Sequence, residues 1–322
     1  MGRKRHWFTA AVLTLGTATF LYLLWSFGPV LVYHRLRGFG WGFAFVLPFQ
    51  IFDHMLNAMG WKLSFAPAEA SRVGFWELVR VRVAGDGVNY LTPSGNIAGE
   101  FVRPGMLRTD LPENAKVTSV VIAKAAQAVG QSLFVLFGLI YLLNAKSYAF
   151  AAGQAGWAAA GMSVILFGVA LCVGLFAMRP PAWLKKRFPA AMEKSEPVRH
   201  HLRAYLGRHP LRLAGATVYF MLGYAWGAAE IWLICKFLGY PIGLETALCI
   251  EFLSNLVDSF AFMVPAKIGT QEAGKAAIFK GLGYAADMGF TVGLIRHARE
   301  ILWAAAGLSM FALQQKAAAK KT

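Results

Sequence analysis

The sequence predicts an all-α, polytopic helical membrane protein with an inverted repeat and two re-entrant helical hairpins. Three observations lead there: 57% of residues are apolar, the mean hydropathy is +0.49, and two charged elements recur in constant register. Stretches of about 20 apolar residues, enough to cross a bilayer, recur along the chain. They are 7–33, 41–61, 117–143, 148–178, 211–235, 244–264 and 289–314.

The net charge of +16 does not indicate a nucleic-acid-binding protein. The basic residues stand beside apolar segments, where they face the cytoplasm and anionic lipid headgroups. Cys172, Cys235 and Cys249 lack CxxC spacing, so neither a disulfide framework nor a zinc site is predicted. The sequence has no P-loop, GxSxG or HExxH motif. We therefore expect no cofactor, no metal and no enzymatic activity.

The amino terminus has a basic run, Arg3 to Arg5, ahead of apolar residues, which resembles a signal peptide. The apolar run is too long for one and lacks a small-residue cleavage site, so it predicts a retained first helix. Residues 1–322 are expected to form one transmembrane domain of the bacterial inner membrane.

An internal repeat appears when the chain is compared with itself at an offset of 172 residues. The offset aligns Asp86 with Asp258, Pro93 with Pro265, Glu100 with Glu272, Arg103 with Lys275, and Lys124 with Arg296. Charged and proline positions in one register within a charge-poor chain indicate a duplication. The halves are about 41–178 and 211–314, joined by a basic connection, 179–210.

Each half has a proline followed by glycines between two helical segments. The first approach segment, 71–92, contains Arg80, Arg82 and Asp86 and is too polar to cross lipid alone. Non-helical backbone at membrane depth survives only when it is buried in protein or faces a watered cavity. Both elements therefore predict re-entrant hairpins of two half-helices.

The positive-inside rule tests this topology. With both hairpins entering and leaving on one side, six crossings remain, and the basic connection and both termini lie in the cytoplasm. The hairpins then enter from opposite faces, so the halves are inverted copies. Many secondary transporters hold substrate where such broken helices meet.

The charged and amide residues of both elements are candidates for binding an anionic headgroup, because half-helix amino ends and basic side chains attract phosphate. The candidate residues are Asp86, Asn89, Pro93, Glu100, Arg103, Lys124, Gln127, Asp258, Pro265, Lys267, Gln271, Glu272, Lys275, Arg296 and Arg299. Charge at membrane depth favours a functional role.

Simpler interpretations stay open at this point. Glu100 with Arg103, and Glu272 with Lys275, could merely pair one turn apart on a solvated helix face, and the basic residues of the last helix could reach for the interface. Asp53, His54 and Asn57 could form a proton relay or a satisfied buried pair.

The elements around both prolines resemble a known family. Asn89-Tyr-Leu-Thr-Pro93 precedes Gly99-Glu100, Phe262-Met-Val-Pro265 precedes Ile268-Gly-Thr-Gln-Glu272-Ala-Gly274, and Arg296-His-Ala-Arg-Glu300 follows. These residues are similar to the transmembrane superfamily of lysylphosphatidylglycerol synthase, and within it to hopanoid-biosynthesis-associated membrane proteins. The family pattern usually has paired glycines after the second proline, where this chain has Ala266 and Lys267.

The resemblance implies a lipid flippase or transporter of the bacterial inner membrane. We expect alternating access to move a phosphate-bearing lipid or lipid-linked precursor between leaflets, with membrane lipid as the partner and no nucleic acid. The alternatives are an accessory subunit of a lipid-modifying or hopanoid-biosynthesis enzyme, and a membrane-embedded lipid enzyme. The lipid, energy source and oligomeric state are left open.

Overall fold

The computed structural model describes residues 28–91, 98–144, 182–260 and 267–319, together with isolated positions before residue 28, between 145 and 181, and at 264. Every secondary-structure element in these ranges is helical, which confirms the all-α prediction. In chain order they are α1 Pro29–Phe39, α2 Gly42–Leu63, α3 Pro67–Ala70, α4 Phe75–Leu91, α5 Ala98–Met106, α6 Glu113–Asn144, α7 Ala182–Arg187, α8 Pro189–Arg208, α9 Pro210–Phe237, α10 Leu244–Phe260, α11 Thr270–Gly281 and α12 Ala286–Ala319.

Prolines define several helix starts. Pro29, Pro189 and Pro210 each occupy the first position of a helix. The missing N–H of proline is not needed there, and its fixed φ matches the helix. The long apolar segments therefore begin where the sequence supplies a proline.

The order of helices repeats with the offset found in the sequence. Shifted by 172 residues, Ala98–Met106 would cover 270–278, where the structure has Thr270–Gly281. In the same way Glu113–Asn144 would begin at 285, and α12 begins at Ala286. Thus α2, α4, α5 and α6 correspond in order to α9, α10, α11 and α12. The orientation of the two copies across a membrane stays a prediction.

The two halves exchange contacts reciprocally. The first hairpin segment α4 packs on α12 of the other half, its counterpart α10 packs on α6, and α2 packs on α9. Glycine allows the close approach of α4 and α12, because a Cβ on Gly87 would lie 2.8 Å from the carbonyl oxygen of Ala304. The first hairpin is therefore held against the last helix.

The core has two main parts. One gathers second-half side chains such as Ile231, Phe252 and Phe279, and the other gathers first-half side chains such as Trp61 and Leu78. Large apolar side chains also face outward: Trp41 is 85% exposed and Leu211 is 86% exposed. An apolar exterior of this kind is typical of a surface that contacts lipid.

Two described helices, Glu113–Leu142 and Pro210–Phe237, are long and apolar enough to cross a membrane. Their bounds agree with two of the predicted apolar stretches. The apolar stretches 7–33 and 148–178 fall mostly outside the described residues, as do Pro93, Pro265 and the hairpin turns. Multi-pass topology and re-entrant hairpins stay predictions.

The basic connection folds onto the end of α2. Tyr205 donates its hydroxyl to the carbonyl oxygen of Leu63 at 2.6 Å, and Arg212 donates to that of Phe65 at 3.0 Å. These bonds satisfy carbonyls that a helix end leaves without a partner. Burial raises the pKa of the Tyr205 phenol to about 12, so it stays a hydrogen-bond donor at neutral pH. The connection is thus docked on the helical domain.

Candidate functional site

A polar cavity of about 260 Å³ lies between the two halves. Its walls come from α2, α4, α5, α6 and α12, with Lys267 ahead of α11. The lining residues are Gln50, Asp53, His54, Arg82, Val83, Asp86, Gly87, Asn89, Tyr90, Glu100, Arg103, Lys124, Gln127, Lys267, Arg299, Glu300, Trp303 and Ala304. Eight of the fifteen predicted residues are among them: Asp86, Asn89, Glu100, Arg103, Lys124, Gln127, Lys267 and Arg299.

Four of these residues form the first-half cluster: Asp86, Glu100, Arg103 and Lys124. The Arg103 guanidinium bonds Asp86 Oδ1 at 2.6 Å and also pairs with Glu100. Lys124 Nζ donates to Glu100 Oε1 at 3.1 Å and to Gln127 Oε1 at 3.3 Å. The Glu100–Arg103 pair considered as a surface contact is therefore formed, but it belongs to a larger cluster in the cavity wall.

Backbone packing fixes the position of α5 in this wall. Asn89 Oδ1 accepts the Gly99 N–H at 2.6 Å, which satisfies an amide at the first turn of α5. A Cβ on Gly99 would also lie 2.8 Å from the Asn89 side-chain nitrogen. The glycine is needed because the two hairpin segments approach closely, and this approach places Glu100 and Arg103 beside α4.

Lys267 brings the second hairpin to the cavity. Its Nζ bonds Asp258 Oδ2 at 2.9 Å. Its φ of 53° lies in the left-handed region that glycine adopts without strain. The family pattern has glycine in this region of the chain, so the lysine adds a charge to the cavity at some backbone cost.

Behind the cavity wall lies the buried network, formed by Glu230, Glu251, Arg296 and Arg299. Arg296 bonds Glu251 Oε2 at 2.5 Å, and its Nε lies 3.1 Å from Glu230 Oε2. Arg299 pairs with Glu230 and donates to Gln50 Oε1 at 2.5 Å. All four charged residues are under 10% exposed. Arg296 is thus held by carboxylates behind the wall, and Arg299 links this network to the cavity.

Four further predicted residues also lie outside the cavity lining. Asp258 holds Lys267, and Gln271 donates to Glu300 Oε1 at 3.1 Å. Glu272 is fully buried, accepts the Gly269 N–H at 3.0 Å and pairs with His297 instead of the expected Lys275. Lys275 is 2% exposed. These residues support the wall from behind, and a headgroup-binding role for them stays a prediction.

The Asp53, His54 and Asn57 group is divided in the structure. Asn57 donates to Asp53 Oδ1 at 2.9 Å, and Gln50 donates to Asp53 Oδ2 at 3.0 Å. The His54 Nδ1 atom lies 3.6 Å from Asp86 Oδ2, beyond hydrogen-bond reach. The chain of bonds that a relay through all three residues needs is not formed among them.

The charges in the cavity are almost balanced. Five basic residues, Arg82, Arg103, Lys124, Lys267 and Arg299, face four acidic ones, Asp53, Asp86, Glu100 and Glu300. The Nε atoms of Arg82, Arg103 and Arg299 have no hydrogen-bond partner among the described residues. The wall can therefore hold its cations in place and still offer donors to an anion. No group of three His, Cys, Asp or Glu residues suited to a metal ion occurs in this part of the chain.

Several functional-site residues were not found from the sequence. Gln50, Tyr90 and Trp303 lie in segments without a distinctive motif. Glu230 and Glu251 had a usable signal, because each is a carboxylate inside an apolar stretch, where an ionisable residue needs a partner. Pairing them with the two arginines of α12 would have predicted the buried network.

The comparisons with known proteins agree with the sequence resemblance. The family model described as the lysylphosphatidylglycerol synthase TM region matches residues 8–307. No curated protein and no solved structure shows a significant match. The link to hopanoid biosynthesis stays a prediction. The apolar helices, the buried charges around a polar cavity and this match over most of the chain agree: the protein belongs to the lysylphosphatidylglycerol synthase TM-region family of lipid-related membrane proteins.

Proposed function

We propose that this protein is a flippase-like transporter of the bacterial inner membrane, which moves an anionic, phosphate-bearing lipid between leaflets. The observation that carries the proposal is the cavity between the halves, with three buried arginines whose Nε donors lack partners among the described residues. Guanidinium groups bind phosphate through several hydrogen bonds at once. The site would bind and release a lipid without making or breaking covalent bonds.

The size of the cavity supports a headgroup site. Pockets that hold drug-sized ligands are about 300–1,000 Å³, whereas this cavity is about 260 Å³. It suits a headgroup whose acyl chains stay in the bilayer. Phe101 supports the same arrangement: it is 81% exposed, although its neighbour Glu100 lines the cavity. The α5 helix thus has a polar side toward the cavity and an apolar one away from it.

The reciprocal packing of α4 on α12 and α10 on α6 supports alternating access. Related halves that meet around one site can rock against each other and open it to either face. In this mechanism the basic connection and both termini are cytoplasmic, and the hairpins enter from opposite faces. Opening toward one face would expose the cavity cations to that leaflet.

Reconstitution tests this function. The purified protein is placed in liposomes that contain an anionic phospholipid with a fluorophore on one acyl chain, and a membrane-impermeant quencher reports its exchange between leaflets. Removing one charged hydrogen bond weakens binding by about 1.5–3 kcal/mol, so Arg103→Gln should slow exchange at least about tenfold. Lys124→Gln should also slow it, and its 40% exposed side chain makes misfolding less of a concern.

Lys280→Gln is the matched control, because this lysine is exposed and does not line the cavity. Equal exchange rates in wild type, Arg103→Gln and Lys124→Gln would reject the cavity as the transport site. If wild type moves no lipid of a broad panel, the accessory-subunit alternative replaces transport.

A further inference from the structure

Two neutral polar side chains on the cavity wall are left without partners. His54 is 5% exposed, and neither ring nitrogen has a hydrogen-bond partner among the described residues; the same is true of the Tyr90 hydroxyl. A buried polar atom without a partner costs about 1–3 kcal/mol. Both side chains line the cavity that we assign to the headgroup. A bound group that hydrogen-bonds them would remove this cost.

The acidic residues of the wall, in contrast, already have partners. Asp53 accepts from Asn57 and Gln50, Asp86 from Arg103, and Glu300 from Gln271. Glu100 is held by Arg103 and Lys124. A lipid ammonium group would therefore meet no carboxylate that lacks a partner among the described residues.

The chemistry of the unpartnered atoms selects the ligand group. A neutral imidazole has one donor and one acceptor, and a phenol hydroxyl can do both. An ammonium only donates, and a fully ionised phosphate only accepts. A hydroxyl does both, so neighbouring hydroxyl groups complement His54 and Tyr90 together.

Trp303 completes this part of the wall. Its ring lies 4.9 Å from the His54 ring, centroid to centroid, and both line the cavity. Its indole N–H is used by the carbonyl oxygen of Leu47 at 2.9 Å. The ring therefore offers an apolar surface next to two hydrogen-bonding groups. The carbon-bound face and the hydroxyl rim of a sugar or polyol match that combination.

We infer that His54, Tyr90 and Trp303 form a hydroxyl-binding subsite beside the arginines, and that the lipid carries a polyhydroxylated headgroup, a sugar or polyol, rather than an ammonium. The inference rests on the proposed transport function and specifies its substrate class. The arginines would bind the phosphate, and the subsite would select what the phosphate carries. His54 and Tyr90 would then be specificity-determining residues.

The test compares lipids with the same acyl chains in the liposome assay. Phosphatidylinositol and phosphatidylmethanol share a phosphodiester charge but differ in hydroxyl groups, and phosphatidylethanolamine adds an ammonium. Phosphatidylinositol should exchange fastest. A hydrogen bond is worth about 0.5–1.5 kcal/mol, so Tyr90→Phe should lower the rate ratio of phosphatidylinositol to phosphatidylmethanol about three- to tenfold. His54→Phe should lower the same ratio.

Tyr284→Phe is the control, because it also deletes one phenol oxygen, but on a residue outside the cavity wall that contacts Thr246. Its ratio should equal that of wild type. The thermal unfolding midpoint in detergent is recorded for each variant, so that a folding defect is not taken for lost selectivity.

The outcomes separate this inference from the proposed function. Equal rates for phosphatidylinositol and phosphatidylmethanol, faster phosphatidylethanolamine, or an unchanged ratio in Tyr90→Phe would overturn the hydroxyl subsite while transport stands. No exchange of any lipid would overturn the transport function itself. Soluble inositol 1-phosphate should compete weakly, since it lacks acyl chains. Full inhibition at the concentration of the lipid would assign the site to a soluble polyol phosphate instead.

Discussion

The two halves of the protein carry the same charged element in one register, yet they use it differently. In the first half, the four residues of the first-half cluster contact one another and line the cavity. In the second half, the corresponding side chains are separated into different pairs. Asp258 holds Lys267, Glu272 pairs with His297, and Arg296 joins the buried network.

Partners that exist in only one half explain the difference. The position that corresponds to His297 is Ala125, and the one that corresponds to Glu230 is Ala58. Glu100 has no histidine at that place and bonds Arg103 and Lys124 instead. The duplicated residues therefore supply charge, and the unduplicated ones decide whether that charge faces the cavity or is neutralised inside the protein.

The largest expected effect comes from opening the buried network. Glu230→Gln keeps the shape of the side chain but removes the carboxylate shared by Arg296 and Arg299. Removing one partner of a buried ion pair leaves an uncompensated charge, so the free energy of unfolding should fall by about 3 kcal/mol. Thermal unfolding in detergent measures this loss.

Glu245→Gln is the control for the buried network. Glu245 is exposed and accepts a hydrogen bond from the Tyr141 hydroxyl, so this variant should unfold close to wild type. If both variants unfold alike, the buried network does not stabilise the second half as the comparison requires.

The next prediction contrasts two glutamates in the same register. Glu100→Gln leaves Lys124 without its carboxylate and adds one positive charge to the cavity, so anionic lipid should bind several-fold more tightly. Glu272→Gln lies behind the wall, where the change weakens the bond to His297, and stability should fall by about 1–3 kcal/mol. Lipid retention and thermal unfolding are measured on both proteins.

The opposite pattern would contradict the comparison. If Glu272→Gln changes lipid retention and Glu100→Gln does not, the second element faces the substrate and the first is structural. A loss of lipid binding in Glu100→Gln would mean that its carboxylate orients the cations rather than competing with phosphate.

Much of the helical architecture could be predicted from the sequence, because hydropathy and proline positions determine where long helices begin. The constant offset also placed α5 and α11 in corresponding positions. The division between lining and buried residues could not be predicted, since it depends on contacts between α2, α9, α10 and α12. Arg296 and Arg299 illustrate this: they share a helix, but only Arg299 lines the cavity.

The smallest effect is expected at an exposed pair, which shows what an ion pair contributes without burial. Arg72 ahead of α4 pairs with Asp110 after α5, and their side chains are 47% and 75% exposed. The hydrogen bond from Arg72 lowers the pKa of the Asp110 carboxyl below its ordinary value. Its stabilising contribution is therefore present at neutral pH and is lost as the pH falls through that lowered pKa.

Solvent and salt screen this exposed pair. Asp110→Asn should therefore shift the unfolding midpoint much less than Glu230→Gln, and the small shift should disappear in high salt or at a pH below the pKa of Asp110. Unfolding curves for both variants at low and high salt make the comparison. A shift at Asp110 as large as that at Glu230, or one that persists in high salt, would mean that burial is not what distinguishes the two ion pairs.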